Sequence, residues 1–292
     1  MKYIKESTEF GLDMVRGLPR VWHAVQNNIE HQVHVKPGLK DLYGLFTDNV
    51  VVKSDFVVNH PTSLFQFERP DWTLNEWTPP PLKEMFKDKV SFDKPTIVIN
   101  NKWDGDLGPK DTNRFLNRYP DIDLSMGAMI QRDDGFTSFN HYSMEFIDKL
   151  VKEYSDRYKI IYISPIFGDN YFKDNNRIIS VDDYGYIEKN YPEIYTIKEH
   201  MKRKNISYNI AQFELEASSD KHLSVMGGNC KISSYFGGDV IIHMGAGYKY
   251  GEIAKGKRGI FKTGSWLRHL SGANIIQFNT YKDIFNYIGE NW

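Results

Sequence analysis

The chain has 292 residues, enough for more than one hydrophobic core, and its formal net charge of −1 excludes the strongly basic surface of a nucleic-acid-binding domain. Its single cysteine, Cys230, excludes an intramolecular disulfide and fits a reducing compartment. No apolar run approaches the roughly 20 residues that span a bilayer, and Met1-Lys2-Tyr3-Ile4-Lys5-Glu6 carries no signal-peptide core, so the expectation is a cytoplasmic protein with no transmembrane segment and no nucleic-acid partner.

Residues 2–5 predict a short strand. Phe10 to Asn27 predicts a helix, because Met14, Val15, Leu18, Val21, Trp22 and Val25 share one face. Pro19 inside that pattern predicts a kink or a late helix start. A strand over His31 to Lys36, a short helix over Gly38 to Phe46 and a strand over Asn49 to Val52 complete a small α/β lobe, assigned to residues 1–75. The stretch 59–93 is rich in Pro and Trp, with Trp72, Trp77 and Pro79-Pro80-Pro81, and reads as an ordered crossing whose linker proper is 76–93.

The remainder, 94–292, reads as the larger lobe. Pro95 to Asn100 predicts a buried strand. Asp104 to Asn140 is irregular and longer than an ordinary loop, suited to covering an active site or holding an acceptor. Ser143 to Tyr154 is a helix with Phe146, Ile147, Leu150, Val151 and Tyr154 aligned. Strands follow at Lys159 to Ser164 and Ile178 to Val181. Tyr208 to Ser219 is a helix with Ile210, Phe213 and Ala217 on one face. Then come a strand ending at Val225, the pair Gly227-Gly228, a short helix opened by Asn229, the stop Gly237-Gly238 and a strand through Val240, Ile241 and Ile242. Asn274 to Phe278 and Tyr281 to Ile288 close the chain as strand and helix. Strands alternating with helices imply parallel sheets, so the expected class is α/β: two Rossmann-like lobes of parallel sheet flanked by helices, the N-terminal one small.

The glycine pair carries the most chemistry. Gly227-Gly228 lets the backbone approach a ligand where any Cβ would clash, and Asn229 is placed to cap the next helix. Open α/β sheets bind ligands at such strand-to-helix turns. The alternative is a turn that only packs. The 18 Tyr, 18 Phe and 6 Trp either stack on sugar rings or serve burial.

Helix, strand, Gly-Gly turn, helix and strand in succession resemble the nucleotide-sugar half of the two-lobed (GT-B) glycosyltransferases, and heptosyltransferases carry a version of this unit. The resemblance implies a turn at Gly227, Gly228 and Asn229 that holds the donor's diphosphate or ribose, with Glu214 placed to hydrogen-bond the ribose hydroxyls. Phe10-Gly11-Leu12-Asp13-Met14-Val15-Arg16-Gly17-Leu18-Pro19 is similar to the heptosyltransferase entry motif, whose aspartate deprotonates the acceptor hydroxyl. It implies Asp13 as base. One extra residue, Leu12, shifts the register and brings Glu9 forward as the reserve. Asn100-Asn101-Lys102-Trp103 resembles a K-x-W element whose lysine contacts donor phosphate, implying that role for Lys102. A fixed cation there would stabilise the leaving diphosphate.

Two further segments stand beside these. Gly245 to Glu252, continuing through Lys255, Lys257, Arg258 and Lys262, is either a basic loop closing over phosphate, with Lys249 as a donor contact, or a solvated loop. Asp104-Gly105-Asp106 resembles the DxD element of the single-domain (GT-A) glycosyltransferases, which holds Mg²⁺ or Mn²⁺; the alternative is a polar turn. The expectation is therefore a metal-independent, inverting glycosyltransferase. Its partners are a nucleotide-sugar donor, as substrate rather than cofactor, and a glycan acceptor. A GT-A enzyme using Asp104 and Asp106, or a non-catalytic glycan-binding protein, are the alternatives.

Overall fold

β-Branched and apolar runs build two parallel sheets in the computed structural model, which describes residues 2–5, 13–53, 78–103, 108–118, 125–131, 135–166, 181–245 and 265–292. The small sheet contains β1 (Lys2–Lys5), β2 (His31–Val35) and β3 (Val50–Val52) in that order, all parallel. The crossing from β1 to β2 includes a π-helical turn, Asp13–Gly17, and helix α1 (Leu18–Gln26). Pro19 lies in the first turn of α1, where its missing N–H removes no regular α-helical bond. The predicted single helix is thus divided, and its first residues, 10–12, lie outside the described residues. Helix α2 (Lys40–Gly44) joins β2 to β3.

Helix α3 (Leu82–Phe86) stands in the segment expected to be only a linker. Strand β4 (Thr96–Asn100) opens the large sheet. The stretch expected to be irregular contains α4 (Pro109–Arg118), a 3-10 turn at Ser125–Gly127, and a two-stranded antiparallel ladder of β5 (Ile130–Gln131) and β6 (Thr137–Ser138). Helix α5 (Met144–Tyr154) follows, its N-terminus capped by Ser143, whose Oγ accepts from the Phe146 N–H. Next come β7 (Lys159–Ile163), α6 (Asp183–Asn190), β8 (Tyr195–Thr196) and α7 (Ile197–Lys204). The strand expected at Ile178 to Val181 lies outside the described residues except for Val181, which is in no regular element. Strand β8 is too short to leave a periodic signal. Helix α8 (Tyr208–Ala217), β9 (Lys221–Val225), α9 (Gly228–Ser233), β10 (Asp239–His243), α10 (Ser265–Arg268), β11 (Asn274–Phe278) and α11 (Tyr281–Asn291) complete the chain.

The large sheet runs β11-β10-β9-β4-β7-β8, with every pairing parallel. The chain starts at its centre with β4, moves outward through β7 to β8, returns to β9 beside β4, and moves out the other way. That reversal between β4 and β9 is a topological switch point, where open α/β sheets leave a crevice at the carboxyl ends of their strands.

Alternation along β10 shows how the core is divided. Ile241 joins a cluster with Ile97, Ile99, Phe146, Leu150, Ile161 and Ile284, whereas Val240 and Ile242 join a second cluster with Met14, Leu18, Val33, Leu42 and Phe86. The second cluster is one continuous body of buried side chains linking the small sheet and its helices to the large sheet. Helix α8 serves both: Ala211 and Leu215 pack in the first cluster, Phe213 and Ala217 in the second. It is therefore buried nearly all round, not on the single face its periodicity predicts.

Candidate functional site

Two segments flank the switch point and stand where the walls of such a crevice lie. The first is the chain leaving β4: Asn100, Asn101, Lys102 and Trp103, all buried. Asn101 fastens it. Its Oδ1 accepts from the backbone N–H of Lys102 (3.0 Å) and of Tyr142 (2.8 Å), and its Nδ2 donates to the Tyr142 carbonyl (2.9 Å) and the Tyr162 hydroxyl (3.0 Å). Asp183, first residue of α6, then accepts at Oδ2 from the Tyr162 hydroxyl (2.7 Å) and the Trp103 indole N–H (3.0 Å). Trp103 stacks on His141 with centroids 4.7 Å apart. Segment 101–103 is thus held by α6, β7 and the residues before α5, as a pre-organised wall must be.

The second wall is the turn leaving β9. Gly227 has φ +118° and ψ −138°, a conformation L residues rarely adopt, and a Cβ there would meet no atom of the described residues within 4 Å. The other glycine pair contrasts with it: a Cβ on Gly238 (φ +67°) would stand 2.1 Å from the Asp220 carbonyl oxygen. Gly238 is required by close packing, whereas among the described residues nothing stands where a side chain on Gly227 would project. Gly227 also takes the cap position of α9, so Asn229 falls inside the first turn and caps nothing. Its Nδ2 crosses the switch point instead, donating to Asn100 Oδ1 (2.7 Å) and to the Asn101 carbonyl (3.0 Å).

A buried polar network lies beneath. Glu216, fully buried, accepts at Oε1 from Asn100 Nδ2 (2.6 Å) and from the Ser233 hydroxyl (2.9 Å). Its Oε2 lies 2.8 Å from Nδ1 of His222, also fully buried. The π-helical turn packs against α9, and the Tyr235 hydroxyl just beyond α9 donates to the Met14 carbonyl of that turn.

The structure brings the segment that carries Lys102 beside Gly227, Gly228 and Asn229 at the switch point, through the Asn229 bond to the Asn101 carbonyl. Asp13 opens the π-helical turn beside α9; its side chain lies outside the described residues, as do Glu9, Asp104, Asp106 and Lys249. Glu214 is engaged elsewhere: its Oε2 accepts from His200 Nε2 and Lys204 Nζ of α7, each at 2.8 Å. The acidic residue beneath the switch point is Glu216, fully buried, which sequence reasoning missed. Asn100 and Asn101 were legible only as paired amides at a strand end.

Burial sets the proton chemistry nearby. It pushes the His141 imidazole down to about 4 and His243 down to about 3, so both are neutral at physiological pH. It pushes the Cys230 thiol up to about 11, which removes Cys230 as a nucleophile; the Sγ–H donates to the Gly227 carbonyl (3.2 Å). Burial, then the Asp183 carboxylate, holds the Tyr162 hydroxyl well above the usual phenol range. Among the described residues no group of three or more His, Cys, Asp or Glu side chains is arranged to hold a metal ion, and no helix is long and apolar enough to cross a membrane. Comparison with protein families, with curated proteins and with solved structures finds no match.

Proposed function

We propose that the chain is a glycosyltransferase of the GT-B type, moving a sugar from a nucleotide-sugar donor to a hydroxyl of a glycan acceptor, without a metal and with inversion at the anomeric carbon. The observation that supports this reading is the topological switch point between β4 and β9. It offers an open glycine turn on one wall and a lysine on a fastened segment of the other. On this reading 94–292 holds the nucleotide, and Lys102 offsets the negative charge that grows on the departing diphosphate. Residues 1–75 bring the acceptor, and Asp13 or Glu9 removes the hydroxyl proton as the sugar is transferred. The packing of the π-helical turn on α9 supports the base and the donor turn belonging to one site.

A thermal-shift screen with UDP, GDP, ADP, TDP and CMP tests the reading. One nucleotide, at about 100 times its dissociation constant, stabilises the protein by about 2.7 kcal/mol. Lys102→Gln then weakens it by about tenfold, the loss of one charge-assisted contact. A protein that none of the five stabilises is not a nucleotide-sugar enzyme. Transfer persists in excess EDTA. Activity lost in EDTA and restored by Mn²⁺ moves the assignment to Asp104 and Asp106.

A further inference from the structure

The link between the two crevice walls has a direction set from below. A carboxylate only accepts hydrogen bonds. The Glu216 carboxylate therefore draws the NH₂ end of the Asn100 amide toward itself (2.6 Å), which leaves Asn100 Oδ1 pointing at Asn229 Nδ2 (2.7 Å). Asn229 closes the link on the Asn101 carbonyl (3.0 Å). The three side chains come from α8, β4 and α9, and all are buried, so an amide turned the wrong way would face a like partner with no water to relieve it. Ser233, donating to the same Glu216 oxygen, ties the last turn of α9 to the same acceptor.

We propose that Glu216 is a positioning residue for the crevice: it sets the orientation of the Asn100 amide and, through it, the seat of Asn229 and the Gly227-Gly228 turn. Glu216 does not touch the ligand. It keeps the open glycine turn at a fixed distance from segment 101–103, so that a ligand meets both walls at once. The role in binding rests on the crevice being the donor site; the role in holding the turn does not.

Moving the carboxylate along the chain of contacts separates this from a merely structural part. Asn100→Asp alone sets two carboxylates against each other at the 2.6 Å contact. It removes the donor between positions 100 and 216, and the repulsion pushes the position-100 oxygen that Asn229 donates to out of place. Adding Glu216→Gln restores it: the new amide at position 216 donates to the new carboxylate at position 100, that carboxylate accepts from Asn229, and the amide oxygen at position 216 faces His222. Asn229→Ala removes the last link without touching the buried carboxylate. Two readouts are followed: hydrogen exchange of the backbone amides of residues 226–230, and affinity for the nucleoside diphosphate that stabilises the native protein.

Asn100→Asp and Asn229→Ala are expected to speed exchange in 226–230 and weaken binding by about tenfold each, the scale of one buried hydrogen bond. The Asn100→Asp/Glu216→Gln pair returns both readouts to near native. A pair no better than Asn100→Asp, or an Asn229→Ala variant with native exchange, overturns the proposal. If the native protein binds no nucleoside diphosphate, the glycosyltransferase reading falls while the exchange data still decide the role of Glu216. If Asn100→Asp does not fold, Asn229→Ala and the double variant carry the test.

Discussion

The Tyr235 hydroxyl donates to the Met14 carbonyl, and both residues are fully buried or nearly so. This bond joins the segment after α9 to the π-helical turn that Asp13 opens. Burial holds the phenol proton on, so Tyr235 acts only as a donor to that carbonyl. Tyr235→Phe leaves the Met14 carbonyl buried without this partner. It is expected to cost about 1–3 kcal/mol, read as a lower urea midpoint with an unchanged slope. If the π-helical turn carries the base, turnover falls further than stability does while donor affinity holds. Equal donor affinity and equal turnover would show that this contact serves the fold alone.

The two glycine pairs respond differently to a methyl group. Gly238→Ala meets the Asp220 carbonyl at 2.1 Å and keeps a left-handed φ, so it is expected to lose the greater stability in thermal unfolding. Gly227→Ala meets no atom of the described residues and bears the strain of φ +118°, about 1–3 kcal/mol. Gly228→Val is expected to stay folded and lose nucleotide binding by calorimetry. Unchanged affinity in that variant removes the turn from the binding site.

An acceptor hydroxyl is a poor nucleophile until its proton is taken, and a general base is worth about 10²–10⁴-fold. Asp13→Asn keeps the shape and loses the base. The expected result is a strong fall in kcat with little change in donor affinity. Glu9→Gln, measured in parallel, resolves the register shift made by Leu12. Loss in Glu9→Gln alone transfers the role to Glu9. Full activity in both removes the N-terminal segment from catalysis.

His141 and His243 bind protons more readily unfolded than folded, because burial depresses them to about 4 and about 3 against an ordinary value of 6.5. His141 is fixed in its neutral form: Nε2 donates to the Gly127 carbonyl (3.0 Å) and Nδ1 meets the Ser138 hydroxyl (3.0 Å). Below pH 6.5 the unfolded state takes up protons that the native state refuses, so stability falls as pH falls, until His141 titrates near 4 and His243 near 3. Each histidine contributes a slope of up to about 1.4 kcal/mol per pH unit. Urea midpoints at pH 7.5, 6.5 and 5.0 measure it. The expected profile is flat above 6.5 and declines below, less steeply in His141→Gln. A profile in which His141→Gln declines as steeply as the native protein contradicts a neutral buried His141.

Local signals wrote most of the elements. The runs Thr96–Asn100, Lys159–Ile163 and Asp239–His243 are strands because β-branched and apolar residues suit a sheet buried on both faces. Ser143 starts α5 because its hydroxyl caps the first turn, and Gly227-Gly228 marks the bend after β9. Short or polar elements escaped: α4 has only two large apolar residues in its sequence, the adjacent Phe115 and Leu116, and β8 is two residues long.

Adjacency came only with the tertiary structure. Nothing local to Asn100 or Asn229 says that residues 129 apart in sequence meet; the pairing of β9 with β4 brings them together. The same holds for the acidic pair on α8. Glu214 and Glu216 lie about 200° apart around the helix. Periodicity cannot choose between them when both sides of α8 are buried. One side faces α7, where His200 and Lys204 take Glu214; the other faces the switch point, where Asn100 and Ser233 take Glu216. Sequence determines which residues form a strand, a turn or a helix, because those preferences act within a few bonds. Which carboxylate lies beneath the crevice follows from the order of the strands, because that order is set by long-range burial.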